Sequence, residues 1–200
     1  MRRVGIFGGS FSPPHIGHVA AARRFLSASA LDRLLIVPTA LPPHKETRDL
    51  PSGEHRLALC RLAFGELPKT EISDIEIRRG GKSYTYLTLR ELSCPDTELF
   101  FLCGADMLFS LDRWMRPSEL FSLAHFVAVL RSDDPLEKAR MLAQRDALAQ
   151  RFGAKISLLF EDPITISSTE VRAALAEGRD ASFALSPSVT EYIERWKLYR

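Results

Sequence analysis

Residues 3–18 read RVGIFGGSFSPPHIGH, and this stretch decides the architecture. An apolar run over 3–7 suits a buried strand. It ends in Gly8 and Gly9, turns through Pro13 and Pro14, and launches a helix predicted from Ile16 to Ala28. Outward from it, short β-branched and aromatic runs alternate with longer amphipathic stretches. Residues 34–38 (LLIVP), 72–77, 99–103 (LFFLC), 125–130 and 155–160 read as further strands. Helices are expected over 54–64 with Ser52 as cap, over 85–92, and from the Ser132-Asp133-Asp134-Pro135 start to near Gly153. Two short helices close the chain. This βαβα order predicts an α/β, Rossmann-like, doubly wound and mainly parallel sheet with helices on both faces, binding ligands at the strands' carboxyl ends. The 200 residues are read as one domain, and the loop over 39–53 is the one connection longer than packing requires.

Composition narrows the function classes. With 46% hydrophobic and 26% charged residues the chain is a folded globular type, not a disordered one. A net charge of +2 is too balanced to argue for a nucleic-acid or membrane-surface partner, so a bound anion must be held by local geometry. Cys60, Cys94 and Cys103 are odd in number and lack CxxC spacing, which disfavours disulfides or a zinc ribbon and suits a reducing compartment. The apolar run before Gly8 is short for a signal peptide, and no run approaches the ~20 residues of a membrane span. The expectation is a soluble, cytoplasmic protein with no membrane or nucleic-acid partner; self-association is left open.

His15 and His18, three residues apart, fall on one face of the predicted helix in its first turn. Free N–H groups and the positive end of the dipole favour a phosphate there, and Gly8 and Gly9 let backbone approach it closely. Two familiar phosphate loops are excluded. Gly81-Lys82-Ser83 ends like a Walker motif, but its first glycine would fall at Glu76, and the spaced triple glycine of dinucleotide oxidoreductases is absent. The same histidines could instead be surface or capping side chains, or two ligands of a metal lacking a third. Strand-to-helix position, flanking glycines and the second histidine favour the phosphate reading.

A second helix start is marked by Ser167 and Glu170, which have capping-box spacing. Ser168 and Thr169 then occupy its first turn, and Arg172 adds a forked cation a turn later. Alone, this is what any capped helix looks like. Asp106 follows the apolar run LFFLC at a carboxyl end, where it could accept ribose hydroxyls or simply cap a helix. Trp114 could stack on a ring or fill the core. Tyr84 and Thr85 open a predicted helix whose N–H groups could receive a carboxylate.

GGSFSPPHIGH resembles the phosphate-binding signature of the nucleotidyltransferase superfamily that carries a His-x-Gly-His motif, and Ile166-Ser167-Ser168-Thr169-Glu170-Val171-Arg172 is similar to its second motif. Pro42-Pro43-His44-Lys45, Ser83-Tyr84-Thr85, and Gly104-Ala105-Asp106 with Trp114 are similar to the adenylyltransferases of NAD biosynthesis, in particular the bacterial nicotinate-nucleotide adenylyltransferases. The resemblance implies transfer of AMP from ATP to nicotinate mononucleotide, giving deamido-NAD and pyrophosphate, with Mg²⁺ held mainly by the ATP phosphates and no protein-built metal site. It implies catalytic roles for His18, His15, Lys45 and Arg172. ATP would contact Gly8, Gly9, Ser10, Phe11, both histidines, Gly104, Asp106, Ser167, Ser168, Thr169 and Arg172. The nicotinate nucleotide would contact Lys45, Tyr84, Thr85 and Trp114. Two positions depart from the pattern: Ser12 stands where Asp or Asn is usual, and Leu87 replaces an Asp. Other acceptors (nicotinamide mononucleotide or phosphopantetheine) and a non-catalytic nucleotide sensor remain alternatives.

Overall fold

The computed structural model describes residues 1–42, 50–130, 134–160 and 166–200. Among these, six strands form one sheet: β1 (Arg2–Gly9), β2 (Arg33–Pro38), β3 (Thr70–Ile72), β4 (Thr97–Gly104), β5 (Ala124–Leu130) and β6 (Ile156–Phe160). Their spatial order is β3-β2-β1-β4-β5-β6, and every pair is parallel. The helices are α1 (Ile16–Ala28), α2 (Gly53–Phe64), α3 (Ile75–Arg79), α4 (Thr85–Leu92), α5 (Ala105–Leu108), α6 (Pro117–Leu123), α7 (Pro135–Phe152), α8 (Ser168–Ala176) and α9 (Pro187–Arg195). A 3-10 turn over Leu111–Arg113 precedes α6. This is the doubly wound α/β fold expected from the sequence.

The inner strands read as unbroken apolar runs because both faces of the sheet are covered. Successive side chains leave opposite faces. Ile6, Leu35, Val37, Phe101, Cys103 and Phe126 pack with Leu89, Leu120, Phe121, Met141 and Leu148 from α4, α6 and α7. Phe7, Leu34, Ile36, Phe100, Leu102 and Val127 pack on the other face with Ala21, Ala22 and Phe25 of α1 and Cys60 and Phe64 of α2. Gly5 permits the close approach of that second layer, since a Cβ there would come within 2.9 Å of the Phe25 ring. A third, smaller cluster joins Leu59 of α2 to Val171 of α8 and to Val189 and Ile193 of α9. This cluster packs α8 and α9 against α2.

One strand expectation fails. Residues 72–77 do not form a strand; β3 ends at Ile72, and Ile75–Arg79 is helical. Ser73 Oγ accepts from the Ile75 N–H, so the chain turns at Ser73-Asp74 and starts a helix. The isoleucines at 72, 75 and 77 suit a strand by residue type alone, and the turn at Ser73-Asp74 overrides that preference. In α7, Asp134 caps by accepting from the Leu136 N–H with Pro135 next, while Ser132 and Asp133 lie outside the described residues. Among the described residues no helix is long and apolar enough to cross a membrane.

Candidate active site

The strand order reverses between β1 and β4, so the crevice for a ligand lies at their carboxyl ends. Gly8 and Gly9 end β1 there and Gly104 ends β4. After β1 the chain enters a turn in which Phe11 adopts a positive φ of 44°. Packing holds it in that conformation: its buried ring meets those of Phe7 and Phe64 edge-on at 5.3 and 5.6 Å, and the His18 imidazole at 5.2 Å.

His15 caps α1 and is only 3% exposed, while His18 is half-buried one turn in. Their ring centroids lie 3.7 Å apart. The His15 backbone N–H donates to His18 Nδ1 at 3.2 Å. With Nδ1 accepting, the neutral ring carries its proton on Nε2, which makes Nε2 a donor. The first-turn N–H groups are less available than the sequence suggests. Ile16 donates to the Ala184 carbonyl at 2.9 Å, and His18 and Val19 both donate to the His15 carbonyl.

The α8 start forms as the sequence predicts. Ser167 Oγ accepts from the Glu170 N–H, and Glu170 Oε2 accepts from the Ser167 N–H at 2.8 Å. The Ser167 hydroxyl also donates to Glu170 Oε2 at 2.8 Å, and this bond together with that from the Ser167 N–H holds the Glu170 carboxyl below its ordinary range. Ser168 Oγ donates to the Pro13 carbonyl at 3.1 Å. Arg172 donates from Nη1 to the Ser12 carbonyl at 2.7 Å and from Nη2 to Thr169 Oγ1 at 3.2 Å. Two helix starts separated by some 150 residues of chain are thus bonded to one loop. Ser12, one of the two departures from the family pattern, also donates to the Tyr199 hydroxyl, whose pKa burial pushes up to about 12.

On the other side of Gly8 and Gly9 lies a cleft of about 570 Å³. Gly8, Gly9 and Ser10 line it together with Thr39, Tyr84, Thr85, Asp106 and Trp114. Tyr84 is the N-cap of α4, with Thr85 its first residue. Leu87, the second departure, packs against the core. Trp114 is half-buried: it meets Phe101 edge-on at 6.1 Å, donates its indole N–H to Ser110 Oγ at 3.2 Å, and also borders the cleft. Core and cleft are both true of it. Asp106 is exposed in the first turn of α5, which Gly104 rather than Asp106 caps. A Cβ at Gly104 would come within 2.7 Å of Asp106 Oδ1, so glycine is what lets the carboxylate fold back over the strand end.

The expected residues therefore fall into two groups. Gly8, Gly9, Ser10, Tyr84, Thr85, Asp106 and Trp114 share the cleft, whereas Phe11, His15, His18, Gly104, Ser167, Ser168, Thr169 and Arg172 do not line it. Lys45 lies outside the described residues, as do Pro43 and His44. Arg56 and Tyr199 were missed. Arg56 left a sequence signal, for it falls in helical register with the apolar Leu59, Cys60 and Ala63. Tyr199 left none, since its contact with Ser12 spans 187 residues of chain. The cysteines are all free, and burial pushes the Cys60 and Cys103 thiols upward, away from nucleophilic use. His55 bonds Tyr192 and His125 bonds Ser157, away from the crevice. Among the described residues no three His, Cys, Asp or Glu side chains are grouped to hold a metal ion.

Residues 6–174 match the cytidylyltransferase-like family. The chain is 38% identical over its whole length to a protein of Shouchella clausii (strain KSM-K16) named "Probable nicotinate-nucleotide adenylyltransferase", of which 97% is covered. The chain belongs to this family. A protein of the same name from Roseiflexus sp. (strain RS-1) is 39% identical, with 98% of each chain covered. Among solved structures, Plasmodium falciparum nicotinic acid mononucleotide adenylyltransferase complexed with NaAD shares the fold at a TM-score of 0.80 and 20% identity, covering 100% of this chain and 98% of that one.

Proposed function

We infer that the protein transfers AMP from ATP to nicotinate mononucleotide, releasing pyrophosphate and forming nicotinate adenine dinucleotide, a step of NAD biosynthesis. The observation that carries this reading is the pairing of sites about Gly8–Ser10. On one side two helix starts are bonded to a single loop through Ser168 and Arg172. On the other is a cleft bordered by an indole, a helix start and an exposed carboxylate.

A phosphate oxygen of the mononucleotide attacks the α-phosphorus of ATP, a new P–O bond forms, and the bond to the bridging oxygen breaks with its electron pair leaving on pyrophosphate. The attacking phosphate is already ionised at neutral pH, so no protein base is required. Catalysis then comes from positioning and charge stabilisation. His18 donates from Nε2 to the α-phosphate as charge builds, a role its tautomer supports, and His15 stands against it as the cap of the same helix. Ser167, Ser168, Thr169 and Arg172 hold the β- and γ-phosphates, and Lys45 adds charge. Phe11 and Gly104 shape the ATP side, and Asp106 accepts from the adenosine ribose. The pyridine ring lies against Trp114, its carboxylate at the Tyr84 and Thr85 helix start.

Mg²⁺ fits this donor set: the exposed Asp106 carboxylate in the cleft, with no three-ligand cluster among the described residues, suits a cation carried by phosphate oxygens and water. When bound, it neutralises charge on the triphosphate. The protein acts in the cytoplasm.

Pyrophosphate release from Mg-ATP with nicotinate mononucleotide, nicotinamide mononucleotide or phosphopantetheine, assayed in parallel, tests the reading. Release with the nicotinate compound above the others is expected. Release with another acceptor alone would discard the acceptor assignment, and ATP binding without turnover would leave a nucleotide sensor.

A further inference from the structure

Among the described residues Arg56 is the largest fully buried side chain, 1% exposed on α2, and forms no ion pair with any of the others. A buried guanidinium held by backbone carbonyls is an expensive way to fill space, because an apolar side chain of similar volume packs without the desolvation penalty. Its three nitrogens are used with care. Nε donates to the Pro51 carbonyl at 3.0 Å, Nη1 to the Ser10 carbonyl at 3.2 Å, and Nη2 to the Ala40 carbonyl at 3.2 Å. Ser10 belongs to the loop after β1 and Ala40 to the segment after β2. One planar fork thus fixes two backbone segments that have no sequence proximity.

The connection continues on the far side of Ala40. Its N–H donates to Ser83 Oγ at 2.8 Å, and the Ser83 N–H donates back to the Leu41 carbonyl at 2.8 Å. Ser83 directly precedes Tyr84 and Thr85, the start of α4. A line of hydrogen bonds therefore runs from Ser10 through Arg56, Ala40 and Ser83 to the helix start on the opposite wall, and Ser10, Ser83, Tyr84 and Thr85 all border the cleft. In a trans peptide the carbonyl and the following N–H point in opposite directions. Fixing the Ser10 carbonyl on Arg56 therefore also aims the Phe11 N–H away from it.

We propose that Arg56 is a positioning residue for adenylyl transfer: it touches neither substrate, and it sets the spacing between the loop that carries ATP and the helix start that carries the acceptor. The inference rests on the adenylyl-transfer reading, which the wild-type acceptor assay decides separately. In-line attack needs the reacting atoms in near-attack geometry, and a misplacement of about 1 Å far from the chemistry can lower a rate roughly 10²-fold. Each subsite on its own survives a change of spacing. Loss of Arg56 should consequently lower kcat while leaving the separate affinities for ATP and for nicotinate mononucleotide nearly intact.

The test uses the full-length chain with Arg56→Gln, and Arg56→Lys as the conservative variant. Calorimetry gives the number of ATP sites per chain and the Kd of each substrate alone; steady-state pyrophosphate release gives kcat. For Arg56→Gln, kcat per titrated site is expected to fall roughly 10²-fold, with each Kd changed only a few-fold. Arg56→Lys, which keeps the charge but lacks the fork, should fall between it and wild type. A purely structural arginine would lower kcat and the number of titrated sites in parallel, and that result overturns the proposal. So does a kcat per site equal to wild type, or a loss carried wholly by the Kd for ATP. Should both arginine variants fail to fold, Ser83→Ala cuts the same line beyond Ala40 and must show the same split at smaller size; its absence there overturns the proposal equally.

Discussion

The starts of α1 and α8 meet at one loop, yet they are built differently. The α1 start is interior: His15 caps it at 3% exposure, and aromatic rings surround the turn before it. Its Ile16, His18 and Val19 N–H groups are taken by protein carbonyls. The α8 start is a surface structure, with Ser167, Thr169 and Glu170 exposed around an ordinary capping box. The first is pre-organised, with two imidazoles packed against each other at its end. The second is a generic helix start recruited by two side chains, Ser168 and Arg172, that reach the other's loop. A helix dipole alone would treat the two alike; what divides them is how packing surrounds each start, one among buried rings and one at the surface.

That contrast makes ordered claims. The largest effect is expected at α1: His18→Ala should lower kcat roughly 10²-fold or more, as the loss of a transition-state donor does, while the Kd for ATP changes little. An unchanged kcat would erase the distinction between the two ends. Next comes α8. Arg172→Ala removes a charged hydrogen bond to the Ser12 carbonyl and the cation proposed to hold phosphate, and should raise the KM for ATP roughly tenfold or more. Steady-state kinetics at varied ATP would read this, and an effect confined to kcat would place Arg172 with His18 instead.

The smallest effect concerns the capping box itself. Glu170 is held below its ordinary carboxylate range by Ser167, so its charged form is the one the fold favours. Its contribution to stability is complete above the unfolded-state value, near 4.3, and disappears as pH falls through the lower folded-state value. Glu170→Gln keeps the shape and drops the charge. Its Tm should sit slightly below wild type near neutral pH, with the gap closing in acid. A gap that widened in acid would reverse the sign of this linkage.

Much of this was legible in the sequence for physical reasons. Strands covered on both faces must be apolar throughout, so LLIVP and LFFLC announce themselves, and Ser167 with Glu170 spells its cap locally. Short elements lack that advantage. The helices α5 and α6, of 4 and 7 residues, give too few turns for a periodic pattern, and α3 hides behind isoleucines that suit a strand. The candidate site divides the same way. His15 and His18 flank Gly17 at a helix start, Asp106 follows LFFLC at a strand end, and Trp114 comes eight residues after it, so they can be picked out in order. The helical register of Arg56 with Leu59, Cys60 and Ala63 hints at its burial, but the carbonyls its fork meets, those that take the α1 N–H groups, and the division of the site about Gly8–Ser10 are tertiary facts.

The central claim is that one triphosphate lies between the α1 and α8 starts while the acceptor occupies the Trp114 cleft. A structure of the protein with a non-hydrolysable ATP analogue and nicotinate mononucleotide tests it directly. The account predicts the α-phosphate within hydrogen-bond reach of His18 Nε2, about 2.6–3.2 Å, the terminal phosphates at Ser168, Thr169 and Arg172, and the pyridine ring against Trp114. A triphosphate lying in the Trp114 cleft, out of reach of both histidines, would contradict it.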